Sequence, residues 1–144
     1  MKFFLTLSKK KLCIILALTV IALVVLIQFS SATQKRIDGS THAIRENYLN
    51  SLGIEISGKD ITVKQIIIPS EFSDVYNRYN ELQKQAGFDL SKHKGKQVSL
   101  YTYNLSQNDG IQVHLLVLEN EIIGGDIASI KLNGKMLPLK KQKK

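Results

Sequence analysis

Residues 97–130 read QVSLYTYNLSQNDGIQVHLLVLENEIIGGDIASI, and their pattern decides the fold. Aromatic, β-branched and aliphatic residues dominate, and the polar breaks come too often for helices. Gln97 to Leu105, Ile111 to Glu119 and Glu121 to Ile130 are three predicted strands. Ser106-Gln107-Asn108-Asp109-Gly110 joins the first two, and Asn120 marks a tight turn into the third. Successive strands with such short connections make an antiparallel sheet. Gly124-Gly125 interrupts the third strand, which predicts a bulge or a close approach of another backbone.

Toward the N-terminus the pattern changes period. Phe72, Val75, Tyr79, Leu82 and Ala86 fall on one helical stripe, opened by Pro69-Ser70-Glu71 and closed by Gly87. Phe88-Asp89-Leu90 tucks back as a plug, and 91–96 form a basic loop around Gly95. Ile61 to Ile68 is β-branched and stops at Pro69, so it is a fourth predicted strand, reached through a turn at Ser57-Gly58-Lys59-Asp60. Ser40 through Leu52 is a predicted helix with Ile44, Tyr48 and Leu52 on one stripe and Gly53 as its stop. Asn133-Gly134 marks one further turn. The expected domain is therefore α+β in two layers, of order α-β-α-β-β-β, with an antiparallel sheet and its helices on one face.

Leu12 to Phe29 carry no charge and follow Lys9-Lys10-Lys11. A helix of that length spans ~27 Å, close to the ~30 Å of a bilayer core. With Lys2 added, the excess of basic residues before the run places the N-terminus in the cytoplasm. The predicted organisation is a cytoplasmic basic segment (1–11), an N-terminal transmembrane helix (12–29) and a tether (30–39). An extracytoplasmic domain (40–139) and a basic tail (140–144) follow. Ser30-Ser31-Ala32 offers small residues to a signal peptidase, and cleavage after Ala32 would release the same domain as a secreted protein. The lone cysteine, Cys13, lies at the start of the apolar run, so the exported part has no disulfide.

The formal charge of +8 does not imply a nucleic-acid partner. Four of the basic residues precede the apolar run and four form the tail Lys140-Lys141-Gln142-Lys143-Lys144, which leaves the body of the chain neutral. Nucleic-acid binding needs basic residues gathered on a folded face. The expected partners are the membrane and an envelope protein or polymer.

The candidate chemistry is sparse. His42, His93 and His114 have no second histidine or cysteine at ligand spacing, so no metal is predicted, and nothing calls for a cofactor. His114 is expected on the polar face of its strand. Gly124-Gly125-Asp126 can present a carboxylate to a ligand, or can be a bend capped by its own Asp. Tyr101 and Tyr103 share one strand face and, with Tyr76 and Tyr79 on the long helix, would line a groove for a peptide or glycan. Asp89 stands in the polar loop with Lys92, His93 and Lys94. The candidate ligand-binding residues are thus Asp126, Gly124, Gly125, Tyr101, Tyr103, Tyr79 and Asp89. None makes a catalytic constellation. The alternative is an envelope enzyme acting on a wall or peptide substrate through Asp126, Asp89 or His114.

Tyr79-Asn80-x-Leu82-Gln83, Gly87-Phe88-Asp89-Leu90, Gly95-Lys96, Tyr101-Thr102-Tyr103 and Ile123-Gly124-Gly125-Asp126-Ile127 together resemble an uncharacterised bacterial family, domain of unknown function 4830. The resemblance covers roughly Ile61 to Leu139 and implies a small anchored or exported protein of a Gram-positive bacterium. It implies no reaction, substrate or cofactor. Two positions depart from the family pattern: His93, where an aromatic is usual, and Asn133-Gly134-Lys135-Met136, where Asp-Gly-Phe-Met is usual.

Overall fold

The computed structural model describes residues 14–21, 36–57, 61–106, 108–131 and 134–141. The chain divides into two units, Met1–Lys35 and Arg36–Lys144. In the second unit the elements run α1 (His42–Ser51), β1 (Thr62–Ile67), α2 (Asp74–Gln85), a short 3-10 helix (Leu90–His93), β2 (Gln97–Leu105), β3 (Asn108–Leu118), β4 (Glu121–Ser129) and β5 (Met136–Pro138). The sheet has the order β1-β2-β3-β4-β5, every neighbouring pair antiparallel.

Local chemistry sets the helix ends. The Thr41 hydroxyl accepts the Ile44 amide at 3.3 Å at the start of α1, and Gly53, with φ 77°, follows its last turn. Ser73 caps α2 by accepting the Tyr76 amide at 3.3 Å, so the helix opens at Asp74 and not at the predicted Pro69-Ser70-Glu71. Asp74 in the first turn and Lys84 in the last both suit the helix dipole.

Two expectations about the sheet are corrected. A fifth strand, β5, pairs with β4 through Asp126↔Pro138, Ile127↔Leu137 and Ala128↔Met136, giving the order α-β-α-β-β-β-β. The helices also lie on opposite faces, so the unit has three layers where two were expected. Leu49 of α1 packs with Tyr103, Val113, Leu115, Ile127 and Leu139. Phe72 and, from α2, Tyr76 and Tyr79 pack with Ile68, Val98, Leu116 and Ile123. The register puts Tyr103 opposite Val113 and Leu100 opposite Leu116, so the two clusters occupy alternate positions of the same strands. β3 accordingly buries Leu115, Leu116 and Val117 in succession, as a strand covered on both faces must.

The sheet edges differ. Ile37 and Gly39 extend the β4 side, where the Ile122 amide donates to Ile37 O at 2.8 Å and the Gly39 amide to Asn120 O at 2.7 Å. Residues 55–57 bond the end of β2 beyond β1, through Ser57 N to Asn104 O at 2.8 Å and Ser106 N to Glu55 O at 3.1 Å. The outer side of β1 carries no strand among the described residues.

The expected transmembrane helix is also corrected. Among the described residues no helix is long and apolar enough to cross a membrane. Residues 14–21 are helical. The rest of 12–29, Lys9–Lys11, 30–35 of the tether, 58–60 of the first predicted turn, Gln107, Asn133 and tail residues 142–144 lie outside the described residues.

Candidate functional site

The most polar part of the interior lies where α2 crosses β4. Gln83 is fully buried, and its Oε1 accepts the Gly125 amide at 2.8 Å. This contact explains the glycine pair. A Cβ at position 124 would stand 2.9 Å from Gln83 Oε1 and 3.1 Å from Leu90 Cδ2 and Leu116 Cδ1. A Cβ at position 125 would stand 2.5 Å from the His114 carbonyl oxygen and 2.7 Å from Leu139 Cδ2. The pairing of β3 with β4 also shifts between Leu116 and Val117, leaving Ile123 as the bulged residue.

The bulge sets the next pair of side chains. His114 lies directly across from Asp126, and His114 Nδ1 is 2.8 Å from Asp126 Oδ1. Asp126 Oδ2 accepts the Tyr79 hydroxyl at 2.8 Å. The carboxylate is buried, at 2% exposure, while the imidazole keeps 21% of its side-chain surface. The imidazole meets the carboxylate through Nδ1, which leaves Nε2 turned away from it. Burial, the Asp126 charge and its hydrogen bond all push the Tyr79 phenol up, and it stays a donor. Thr102 stands across from His114 on the third strand of this row, but among the described residues no hydrogen bond joins them.

Beside Tyr79 the surface turns apolar. Val75, Tyr76, Tyr79 and Leu82 of α2 and Met136 of β5 line an open groove of about 480 Å³ with Arg78 at its rim. Val75 is 68% exposed and Met136 45%. The predicted stripe is therefore rotated: α2 buries Asn80 and Gln83 and leaves Val75 outside.

Of the seven residues predicted for ligand binding, four meet here: Tyr79, Gly124, Gly125 and Asp126. The other three do not. Tyr101 and Tyr103 sit on the opposite face, so the expected four-tyrosine groove does not form. There Arg45, 5% exposed, donates from Nε to Tyr103 Oη at 2.8 Å and from Nη1 to Gly39 O at 2.6 Å, with its guanidinium 3.7 Å from the Tyr101 ring centroid. Asp89 caps the 3-10 helix, its Oδ1 accepting Ser91 N at 3.1 Å, Ser91 Oγ at 2.7 Å and Asn80 Nδ2 at 3.0 Å. Among the described residues no three His, Cys, Asp or Glu side chains gather as metal ligands.

Sequence reasoning placed His114 on a polar strand face and missed its role as the partner of Asp126; Gln83 entered only as part of the family pattern, with no role assigned, and Arg45 was missed. A signal for the first was present. Glu119 and Asn120 both adopt positive φ (48° and 68°), as a two-residue turn requires, which pairs Leu118 with Glu121. One bulged residue at the glycine pair then brings 114 opposite 126.

The arrangement defines a class: a three-layer domain around an antiparallel meander, with one buried carboxylate tying a helix to the sheet beside an open apolar groove. The family model described as Domain of unknown function (DUF4830) matches residues 48–127, more than half of the chain, and the chain belongs to that family. The match takes in the end of α1 and stops before β5. Comparisons with curated proteins and with solved structures each found no match.

Proposed function

We propose that the unit Arg36–Lys144 is an extracytoplasmic binding domain of a Gram-positive envelope, and that it holds an apolar segment of another protein between α2 and β5. The observation that carries this reading is the groove of Val75, Tyr76, Tyr79, Leu82 and Met136. Aliphatic and aromatic side chains left open to water beside a few convergent polar groups are what a protein ligand covers. An almost wholly apolar wall offers hydroxyls few partners, which favours a protein segment over a wall polymer. Arg78 at the rim forms no ion pair among the described residues and suits an acidic side chain flanking that segment. Export is supported by Lys9-Lys10-Lys11 before an uncharged run to Phe29.

Two measurements test this. Protease added to intact cells should digest the C-terminal unit; protection in intact cells but not in lysed ones overturns the location. The full chain carrying a photo-reactive side chain at position 75 should capture one envelope protein, and Val75→Asp and Met136→Asp should each weaken that protein's binding at least about tenfold. Unchanged binding in both variants overturns the groove.

A second reading, an envelope hydrolase, has one observation in its favour: the row Asp126–His114–Thr102 places a carboxylate, an imidazole and a hydroxyl on three adjacent strands. The missing hydrogen bond from Thr102 to His114 ranks it second. Loss of a measured hydrolysis in Thr102→Val, with the groove variants intact, would reverse the ranking.

A further inference from the structure

The outer side of β1 is the most complete unpaired backbone edge in the described sheet, and its register has a two-fold solution. The Ile68 amide donates to Lys96 O at 2.9 Å and the Gly95 amide to Ile68 O at 2.8 Å, so the backbone groups of Ile68 face β2. Successive residues of an antiparallel strand alternate in direction. Ile66, Lys64 and Thr62 therefore also face β2, and Val63, Gln65 and Ile67 turn their amides and carbonyls outward. Their side chains share one sheet face, where Val63 is 50% exposed and Ile67 67%. No proline and no bulge interrupts the strand, and its only charge is Lys64. Such an edge is a template for another strand.

We infer that β1 pairs with β1 of a second copy of this chain, antiparallel about a two-fold axis at Gln65, making one continuous sheet. The choice of occupant follows from the strand's own sequence. With Gln65 opposite Gln65 of the second copy, Val63 meets Ile67 and Ile67 meets Val63, so all three outward residues form mutually hydrogen-bonded pairs. The exposed Val63 and Ile67 side chains then cover each other. Lys64 meets Ile66 and the two lysines are offset along the strands. Moving the axis by one residue to Lys64 sets lysine directly against lysine, which like-charge repulsion disfavours. A two-fold contact of this kind closes on itself and leaves no free edge on this side. The surface is separate from the groove between α2 and β5, and the inference does not depend on that reading.

The test is thiol trapping of the full chain in cells, in a Cys13→Ser background. Opposed residues of a hydrogen-bonded antiparallel pair have Cα atoms ~5.5 Å apart, within disulfide range. Mild oxidation should convert Gln65→Cys to a species of twice the chain mass at least about tenfold faster than Lys64→Cys, whose thiols lie out of reach of each other. Val63→Cys and Ile67→Cys should crosslink when co-expressed and stay monomeric when expressed singly. Position 65 is exposed, and cooperative melting of each reduced variant checks that it folds. Equal trapping at 64 and 65 overturns the pairing. So does the absence of a dimer from both Gln65→Cys and the co-expressed pair, or a Gln65→Cys adduct with a protein of different mass.

Discussion

Replacing Asp126 by alanine should lower the stability of the Arg36–Lys144 unit by about 3 kcal/mol, the net of two donor losses and one relief. The carboxylate is 2% exposed and holds two partners, Tyr79 Oη and His114 Nδ1, each at 2.8 Å. A buried donor left unpaired costs about 1–3 kcal/mol. The Tyr79 hydroxyl is the more enclosed of the two and stands near the upper end of that range. The imidazole keeps 21% of its surface and can turn partly to water, so it stands near the lower end. Removing a desolvated carboxylate offsets part of the loss, which holds the net near 3 rather than 5 kcal/mol. A folded unit of about 110 residues unfolds with an entropy near 2.1 cal/mol/K per residue, so the melting temperature should fall by ~13 °C. Tyr79→Phe removes a single bond and should cost ~1 kcal/mol, or ~4 °C. The assay is thermal and urea unfolding of the two single variants and the double variant. The double variant should lose less than the sum, because both singles break the same bond. An Asp126→Ala melt within ~2 °C of the parent, or strict additivity in the cycle, would refute the reasoning.

Three further outcomes are expected. Gly125→Ala should lose about 3 kcal/mol by urea midpoint, because its methyl meets the His114 carbonyl at 2.5 Å, whereas Gly124→Ala, 2.9 Å from a side-chain oxygen, should lose less. Burial, the Asp126 charge and its hydrogen bond raise the Tyr79 pKa above the usual value near 10, so the folded state holds that proton more tightly than the unfolded chain. Its contribution is complete below about pH 10 and is lost above it, and the parent should lose melting temperature faster than Tyr79→Phe between about pH 9 and 11. Arg45→Lys should cost about 2 kcal/mol in chemical unfolding, since lysine cannot reach Tyr103 Oη and Gly39 O together while lying over the Tyr101 ring.

Period and punctuation carried much of the fold. The three-strand run at 97–130, the strand before Pro69 and the helix closed by Gly87 all stand within a few residues of their predicted places, because each is written in local chemistry. What was missed depends on partners far along the chain. The two layers of helix were not separable by sequence, since Tyr101 and Tyr103 read as one face of a strand without showing which helix covers it. The signal that β3 is buried twice was the unbroken Leu115-Leu116-Val117, read only as a strand. β5 is three residues long and includes a proline, too short for any periodic test. The stripe on α2 misled because Val75 is apolar and exposed while Asn80 and Gln83 are polar and buried. Both polar residues bond backbone groups, Asn80 Oδ1 accepting Leu90 N at 2.8 Å and Gln83 Oε1 accepting Gly125 N at 2.8 Å, and such pairings override side-chain polarity.

Each layer of helix is fastened to the sheet by one buried polar contact set, and the two differ in a way that bears on function. On the α1 side Arg45 is closed in by a hydroxyl, a carbonyl and an aromatic face, with 5% of its surface open. Apolar packing tolerates small slides of a helix along a sheet, whereas directed hydrogen bonds of this kind hold one position. On the α2 side Gln83 and Tyr79 perform the same service through Gly125 and Asp126, but the last partner, His114, remains partly open. The fastening draws the Asn80–Gln83 side of α2 down onto the sheet and thereby turns Val75 outward beside Met136. The groove is thus a geometric consequence of the buried polar contacts: α2 cannot roll to cover Val75 without giving up Gln83–Gly125 and Tyr79–Asp126. A substitution that frees α2, such as Asp126→Ala, should therefore weaken a ligand held at Val75 even though Asp126 does not line the groove.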